Sequence, residues 1–538
     1  MAVQQSQTPS LQIAIPQVKC SQTYSDSNNP TKRMIKQMQR FVLCGILFVC
    51  LLTIAGCEKN DLPRQLKVSE TAVVLRNEAG AVASLSITTD GAWELTVSGS
   101  GFEATPDHGV AGTSIVTITA TEANDSRGRI TLGELCFHLT ANPQATHIIP
   151  VSQMPAIVPQ TVLLYMPGTQ LSSYYQANIE GIRRIIDPQT PGDGRILICL
   201  QPRTGGDKAA LGEIYYDAAQ HTNIFKEIKV YEPFIANETE FVQQLLADVG
   251  RIAPAQRYGL IIGSHGKAWL PAGDHLTARS FDHISKRDET FIPMPNALPT
   301  RCFGDPSREM NIVQLADAIA AQEYRLDWII FDACFMANIE TLYDLRNSAN
   351  YIIASPIEIM AAGFPYDRLI PQLFADTGNT CDLAGACETF YDFYLNDWNS
   401  VPNNAQSGCI SLAVTAELEQ LADVVRRIQA ANPSAYDRET LQSYEGIYSQ
   451  GGANSHIFYD LEHFIETICT DKTLLTEFQA IMERAFPSNT RFHTPQFYSA
   501  YNSKMNPISH YSGVSISEPS LRHVTDNQQT NWYKDTHK

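Results

Sequence analysis

A thiol and an imidazole, each ending a run of strand-forming residues, are the features of this chain best suited to chemistry. The two runs are Tyr258-Gly-Leu-Ile-Ile-Gly-Ser-His265-Gly266 and Leu326-Asp-Trp-Ile-Ile-Phe-Asp332-Ala-Cys334. Their β-branched and aromatic content is that of buried parallel strands. In open α/β sheets ligands bind in the crevice beyond the carboxyl ends of such strands. Cys334 and His265 placed there by neighbouring strands form a nucleophile and its proton-transfer partner. A lone Cys after an apolar run is more often an inert buried thiol, so the weight rests on the two features occurring together. Gly266 has no Cβ, and its N–H can approach a substrate closely enough to serve an oxyanion hole. Residues Phe335 to Leu345 have a helical pattern, which predicts Cys334 at a helix N-terminus in an open crevice. There the dipole favours the thiolate, and the Cys334 N–H joins that of Gly266.

Asp332 precedes the thiol by two residues, the spacing that puts both on one face of a strand. A carboxylate in that place can pair with an Arg or Lys side chain of a substrate. The plainer alternative for Asp332 is a cap on the following helix. The next strand, Asn350 to Ser355, runs into Pro356-Ile-Glu358.

Ser264-His265-Gly266 with Trp269, followed by Asp332-Ala333-Cys334, resembles the clostripain family of cysteine endopeptidases. The resemblance extends over residues 158–538 and takes in the strands Val162 to Gly168 and Arg195 to Gln201 and the closing Asn531-Trp-Tyr-Lys. It implies a caspase-like fold and cleavage of peptides after basic residues. It further implies Cys334 as nucleophile, His265 as acid/base, and a basic-specificity role for Asp332. Ser355 and Glu358 line the other wall of the pocket by the same comparison. No cofactor is required on this reading, and calcium is left open by the resemblance; the metal content is unknown from the residues. The family's acidic loop after the first strand is replaced by Gly168-Thr-Gln-Leu. Lys286-Arg287, between the two catalytic strands, is the expected self-processing site, with Arg301 and Arg308 as further basic positions.

The amino end has a different character. Residues 1–33 are polar and without apolar period, consistent with disorder or an over-extended start. From Met34 a basic end with Lys36 and Arg40 leads into an apolar run, Phe41 to Thr53, and then Ile54-Ala-Gly-Cys57. The run is short for a spanning helix and has the layout of a secretory signal. Its last four residues resemble a bacterial lipobox, which implies lipidation of Cys57 and an anchor in the cell envelope, at the outer membrane. Residues 58–65 then serve as a tether.

Residues 66–155 carry short β-type runs between Gly, Asn and Asp turns, the pattern of a small all-β sandwich. Gly91-Ala-Trp93, Arg127-Gly-Arg-Ile and Ile148-Ile-Pro-Val-Ser-Gln resemble the BACON domain. That resemblance leaves glycans as a partner for this module, although a Trp in a small sandwich is more often core. The fold class expected overall is α/β. A doubly wound, mostly parallel sheet with a helical carboxyl-terminal extension follows the sandwich. Helices are expected over Ser173–Ile186, Asn311–Tyr324 and Ala416–Ala431, the second opening on an Asn311/Gln314 capping box.

The cysteines show no metal spacing. After Cys57, Cys381 and Cys387 could bridge, and most of the other cysteines read as buried and free, Cys199 and Cys409 lying inside apolar strands. The formal net charge of −18 offers nucleic acid no basic footprint and is compatible with basic substrates. The expected partners are therefore protein or peptide substrates and the membrane. Two other readings stay open: a catalytically altered binding lipoprotein, and a protease of the same fold with non-basic specificity.

Overall fold

The computed structural model describes residues 63, 65–126, 128–167, 171–187, 190–192, 194–201, 208–217, 220–235, 238–272, 309–375, 381–398, 406–431, 433–445 and 456–538. The lipobox with Cys57, the loop start at Gly168, Lys286-Arg287, Arg301 and Arg308 lie outside these residues. Among the described residues no helix is long and apolar enough to cross a membrane.

Nine strands build the amino-terminal sandwich: β1 (Leu66–Val68), β2 (Val73–Leu75), β3 (Val82–Thr89), β4 (Trp93–Gly99), β5 (Phe102–Thr105), β6 (His108–Gly109), β7 (Gly112–Ala120), β8 (Ile130–Leu139) and β9 (Asn142–Gln153). One sheet runs β1-β3-β7-β5 and the other β2-β9-β8-β4-β6. The alternation along β7 buries Val116, Ile118 and Ala120 and leaves the residues between them more exposed, as a half-buried strand requires. Trp93 is fully buried against Phe137. Gly109 lies on its indole so closely that a Cβ there would fall 2.5 Å from Nε1. Trp93 is a core residue and presents no face to a sugar.

The α/β region is organised around a nine-stranded sheet. Its central elements are β10 (Val158–Met166), α1 (Ser172–Ile185), β11 (Arg195–Leu200), β12 (Ala209–Asp217), β13 (Thr222–Tyr231), α2 (Thr239–Ile252), β14 (Ala255–Gly263), α3 (Ile312–Ala320), β15 (Leu326–Asp332), α4 (Ile339–Asp344) and β16 (Ala349–Ala354). Then follow α5 (Tyr366–Phe374), α6 (Leu383–Asp392), β17 (Cys409–Val414), α7 (Leu418–Ala430), β18 (Tyr459–Asp460), α8 (Leu461–Ile468), α9 (Lys472–Ala485) and β19 (Phe492–His493). The chain closes with β20 (Gln496–Ser499), β21 (Lys504–Pro507), β22 (Ser515–Ile516), α10 (Val524–Asn527) and α11 (Asn531–Thr536). The capping box at Asn311 and Gln314 is present.

The sheet order is β13-β12-β11-β10-β14-β15-β16-β17-β19. Strands β11, β10, β14, β15 and β16 are parallel. The pairings outside them are antiparallel, so the sheet is mixed rather than mostly parallel. The reason lies in the connections: four residues separate β12 from β13, too few for the crossover that parallel neighbours need. The carboxyl-terminal part is not purely helical either, since β17 and β19 complete one edge of the sheet.

Both faces of the sheet are covered. Along β15, Trp328 and Ile330 enter one layer with Tyr175 of α1, Leu369 of α5 and Phe390 of α6. Ile329 and Phe331 enter the other with Leu245 of α2, Leu315 of α3 and Val425 of α7. Gly259 makes room for this: a Cβ there would meet the Trp328 indole at 2.0 Å. Cys381 and Cys387 are both free and buried, so the bridge is not formed, while Cys199 and Cys409 sit buried in β11 and β17. Burial pushes the Cys381 thiol up to about 12.

One buried ion pair fastens the antiparallel edge. Arg195 on β11 grips Glu213 on β12 with Nε–Oε1 2.9 Å and Nη2–Oε2 2.7 Å, and its Nη1 donates to Ile252 O at 2.8 Å. Removing one partner strands a buried charge. Glu213→Ala is therefore expected to destabilise the protein by about 3–5 kcal/mol in urea unfolding, whereas a loss below about 1 kcal/mol would mean the pair is structurally idle.

Candidate active site

The site is assembled by strand register. β14 and β15 pair in parallel as far as Gly263 against Asp332. His265 and Cys334 each lie two residues beyond that last pair, on neighbouring chains. The loops touch backbone to backbone: a Cβ on Gly266 would sit 2.3 Å from Cys334 O and 2.9 Å from Cys334 N. The N–H groups expected to form the oxyanion hole therefore belong to adjacent stretches of chain.

The Cys334 segment is not the start of a helix. β15 ends at Asp332, Phe335 has φ of 61°, and α4 begins only at Ile339 with Asn338 as its cap. The Asn338 side chain accepts from Thr341 N at 3.2 Å, so capping falls to Asn338 and not to Asp332. Residues 335–337 pair instead with the chain beyond β16. Phe335 N donates to Ile357 O at 3.0 Å and Ala337 N to Ser355 O at 2.9 Å. These bonds hold the thiol at a ladder-like extension of the sheet, and the dipole expected to act on Cys334 lies four residues downstream.

Nor is the thiol in an open crevice. Cys334 is 0% exposed, packed with Trp269, Phe335, Ile357, Phe458 and Tyr501. Ile359 N–H donates to its Sγ at 3.2 Å, and Sγ lies 3.7 Å from Ile359 O. The chain after β16 supplies the lid that the sequence pattern did not reveal. His265 is half-buried.

Asp332 is 0% exposed and accepts from Tyr366 Oη, at the start of α5, at 2.9 Å. Ser355 turns its hydroxyl onto its own loop, accepting from Ile357 N at 3.2 Å. Glu358 is buried and accepts from Ala500 N at 3.0 Å, so it holds the segment after β20 against the site. The structure thus brings His265, Gly266, Asp332, Cys334, Ser355 and Glu358 to one end of the sheet, with distinct tasks for the last two.

Several residues here carry no sequence motif. Lys267, buried, pairs with the half-buried Glu309 at 2.9 Å and donates to Pro271 O at 2.7 Å. With Ala272 N bonded to Asn311 Oδ1 at 2.7 Å, this anchors residues 267–272 to residues 309–311. Asp460 collects Tyr444 Oη at 2.5 Å and the Ser512 N and Oγ at 2.7 and 2.8 Å. Apart from Pro271, these partners are distant in sequence, and no motif marks them. Among the described residues no group of three or more His, Cys, Asp or Glu could hold a metal ion.

Residues 237–484 match the model of the clostripain family, peptidase C11. A secreted C11 cysteine protease from Bacteroides thetaiotaomicron, "iotapain", is similar in structure at TM-score 0.60 and 29% identity, covering 71% of this chain and 100% of its own. An inactive zymogen C11 protease from Parabacteroides distasonis is similar at TM-score 0.56 and 26% identity, covering 72% of this chain and 100% of its own. A second secreted C11 cysteine protease from Bacteroides thetaiotaomicron, solved with an irreversible peptide inhibitor, shares the fold at TM-score 0.57 and 22% identity, covering 70% of this chain and 99% of its own. Among curated proteins nothing matches the chain. The family model and the structural neighbours together support a clostripain-family (C11) peptidase fold for the α/β region.

The backbone contact between the two loops is open to test. Gly266→Ala must push the Cys334 loop aside, at an expected cost of about 1–3 kcal/mol. Thermal unfolding and the rate of Cys334 alkylation read the displacement. Wild-type values for both would mean that the loops are not in register as described.

Proposed function

We propose that the protein is an exported cysteine endopeptidase that cleaves after Arg or Lys through a Cys334–His265 pair. The observation that carries this reading is the register that sets His265 and Cys334 two residues past the paired ends of adjacent parallel strands. In the mechanism, the Cys334 thiolate attacks the scissile carbonyl and forms a tetrahedral oxyanion. The N–H groups of Gly266 and Cys334 bind that charge. His265 gives a proton to the leaving amine, leaving a thioester on Cys334, and then takes one from the water that hydrolyses it. The segment from Ile357 to Met360 must withdraw from the thiol for a substrate to enter.

Asp332 supplies the negative pocket. Its carboxylate is buried beneath the site, and the Tyr366 hydroxyl fixes its orientation. Glu358, engaged with Ala500, shapes the neighbouring wall. The same specificity turned on its own chain makes Lys286-Arg287 a self-processing site. The name of the neighbour "iotapain" as a secreted protease accords with export, and the Ile54-Ala-Gly-Cys57 sequence supports a lipid anchor in the cell envelope.

The deciding experiment is a panel of fluorogenic peptides with Arg, Lys, Asn or Asp before the scissile bond, run on wild type, Cys334→Ala and Asp332→Asn. Cys334→Ala should lose all turnover and remain a single chain on denaturing gels where wild type yields fragments. Loss of a partly desolvated carboxylate–cation pair costs about 2–5 kcal/mol, so Asp332→Asn should lower kcat/KM on basic substrates by roughly 30-fold or more. Better cleavage of Asn or Asp peptides by wild type would remove the basic pocket, and turnover by Cys334→Ala would remove the nucleophile.

The anchor has its own test. An acyl chain supplies most of a lipoprotein's membrane affinity, so Cys57→Ala should move the protein out of the detergent phase. A mature amino terminus found elsewhere than Cys57 contradicts the anchor.

A further inference from the structure

Glu340 lies six residues after the nucleophile, on α4, and is 0% exposed. Its Oε1 accepts from Ser517 N at 2.8 Å and from Asn527 Nδ2 at 2.9 Å. Ser517 Oγ in turn accepts from the Trp269 indole Nε1 at 2.8 Å. Trp269 is four residues after His265 and packs in the same cluster as Cys334 and Phe335. Asn338, the α4 cap, donates to Ser515 Oγ at 3.3 Å, and Ser515 N donates to Ala337 O at 2.9 Å. The chain that follows the thiol and the chain that follows the imidazole are thus referenced to one carboxyl group, through a carboxyl-terminal segment 177 residues away.

We infer that Glu340 is a positioning residue for the peptidase reaction: through Ser517 and Trp269 it fixes the His265 loop relative to Cys334. The inference rests on the peptidase reading above. An ordinary core position would be filled by an apolar side chain, since burying a carboxyl costs more than its packing returns. Here three segments depend on the two acceptor bonds of Oε1, and no packed hydrocarbon could supply them.

The environment has a measurable electrostatic consequence. The groups facing Glu340 are uncharged: Asn338 on its own segment, Ser517 just after β22, and Asn527 from α10. Burial pushes the Glu340 carboxyl up to about 7, against the lowering pull of those hydrogen bonds. The unfolded chain releases that proton near the ordinary value of 4.5. Between these two pH values the native state holds one more proton than the unfolded state, so stability falls as pH rises through this window and stays lower above it. Glu340→Gln keeps an acceptor oxygen and removes the titration.

The test compares wild type, Glu340→Ala, Glu340→Gln and Ser517→Ala as full chains, with an Arg peptide substrate. A misplaced catalytic loop costs rate rather than binding, so Glu340→Ala and Ser517→Ala should lower kcat by about tenfold or more with KM within about twofold, and Glu340→Gln should restore kcat to within about threefold. Glu340→Gln should also gain thermal stability over wild type at pH 8 relative to pH 5. Wild-type kcat in Ser517→Ala, or equal losses in Glu340→Ala and Glu340→Gln, overturns the positioning role. Should Glu340→Ala not fold, the Gln and Ser517 variants decide on the same criteria. Absence of turnover in wild type refutes the peptidase reading instead. Hydrogen exchange of residues 264–272 then decides for Glu340: faster exchange in Ser517→Ala supports the linkage, and unchanged exchange overturns it.

Discussion

Everything at this site depends on hydrogen bonding that continues after the strands have ended. β14, β15 and β16 stop at Gly263, Asp332 and Ala354. The pairing does not stop with them: Ser264 N reaches Asp332 O, Phe335 N reaches Ile357 O, and Ala337 N reaches Ser355 O. An unpaired buried N–H or C=O costs enough that a loop rarely enters a core without such partners. Here the partners are other loops leaving the same sheet. The extension therefore fixes the thiol and the chain after β16 as one piece, with Gly266 fitted against the Cys334 backbone.

That construction explains why the carboxyl-terminal segments reach back so far. Beside the apolar cluster around Cys334, polar knots tie the loops of this sheet end to the carboxyl-terminal segments. Glu358 holds Ala500, Asp460 holds Tyr444 and Ser512, and Glu340 holds Ser517 and Asn527. Each is a buried carboxyl that accepts from groups distant in sequence, which offsets part of the cost of burying it. The same packing closes over the thiol. Ile359 stands at hydrogen-bond distance from Cys334 Sγ, so access to the thiol is governed by the loop that also carries Glu358.

Much of this was legible in the sequence, for definite reasons. Buried parallel strands are long, β-branched and abruptly terminated, so β14 and β15 could be placed with His265 and Cys334 at their ends. Trp93 could be assigned to the sandwich core because a small sandwich has few other ways to bury an indole. The misreadings have separate origins. Phe335 to Leu345 carry a helical pattern, but pairing with Ser355 and Ile357 overrides it for the first four residues, and Phe335 adopts a left-handed φ of 61°. The hairpin that makes the edge antiparallel was hidden because periodicity does not report strand direction. Glu340, Ser517, Lys267 and Glu309 could not be found at all, since their significance lies in contacts that cross the chain.

The central claim is that Cys334 is a nucleophile served by His265 at the end of this sheet. It is tested most directly by treating the protein with a peptidyl ketone reagent that ends in Arg and locating the adduct by mass spectrometry. A single adduct is expected, on Cys334, and it should be lost in His265→Ala even though the thiol remains. Labelling of other cysteines in preference to Cys334, or labelling of Cys334 at an undiminished rate without His265, would contradict it.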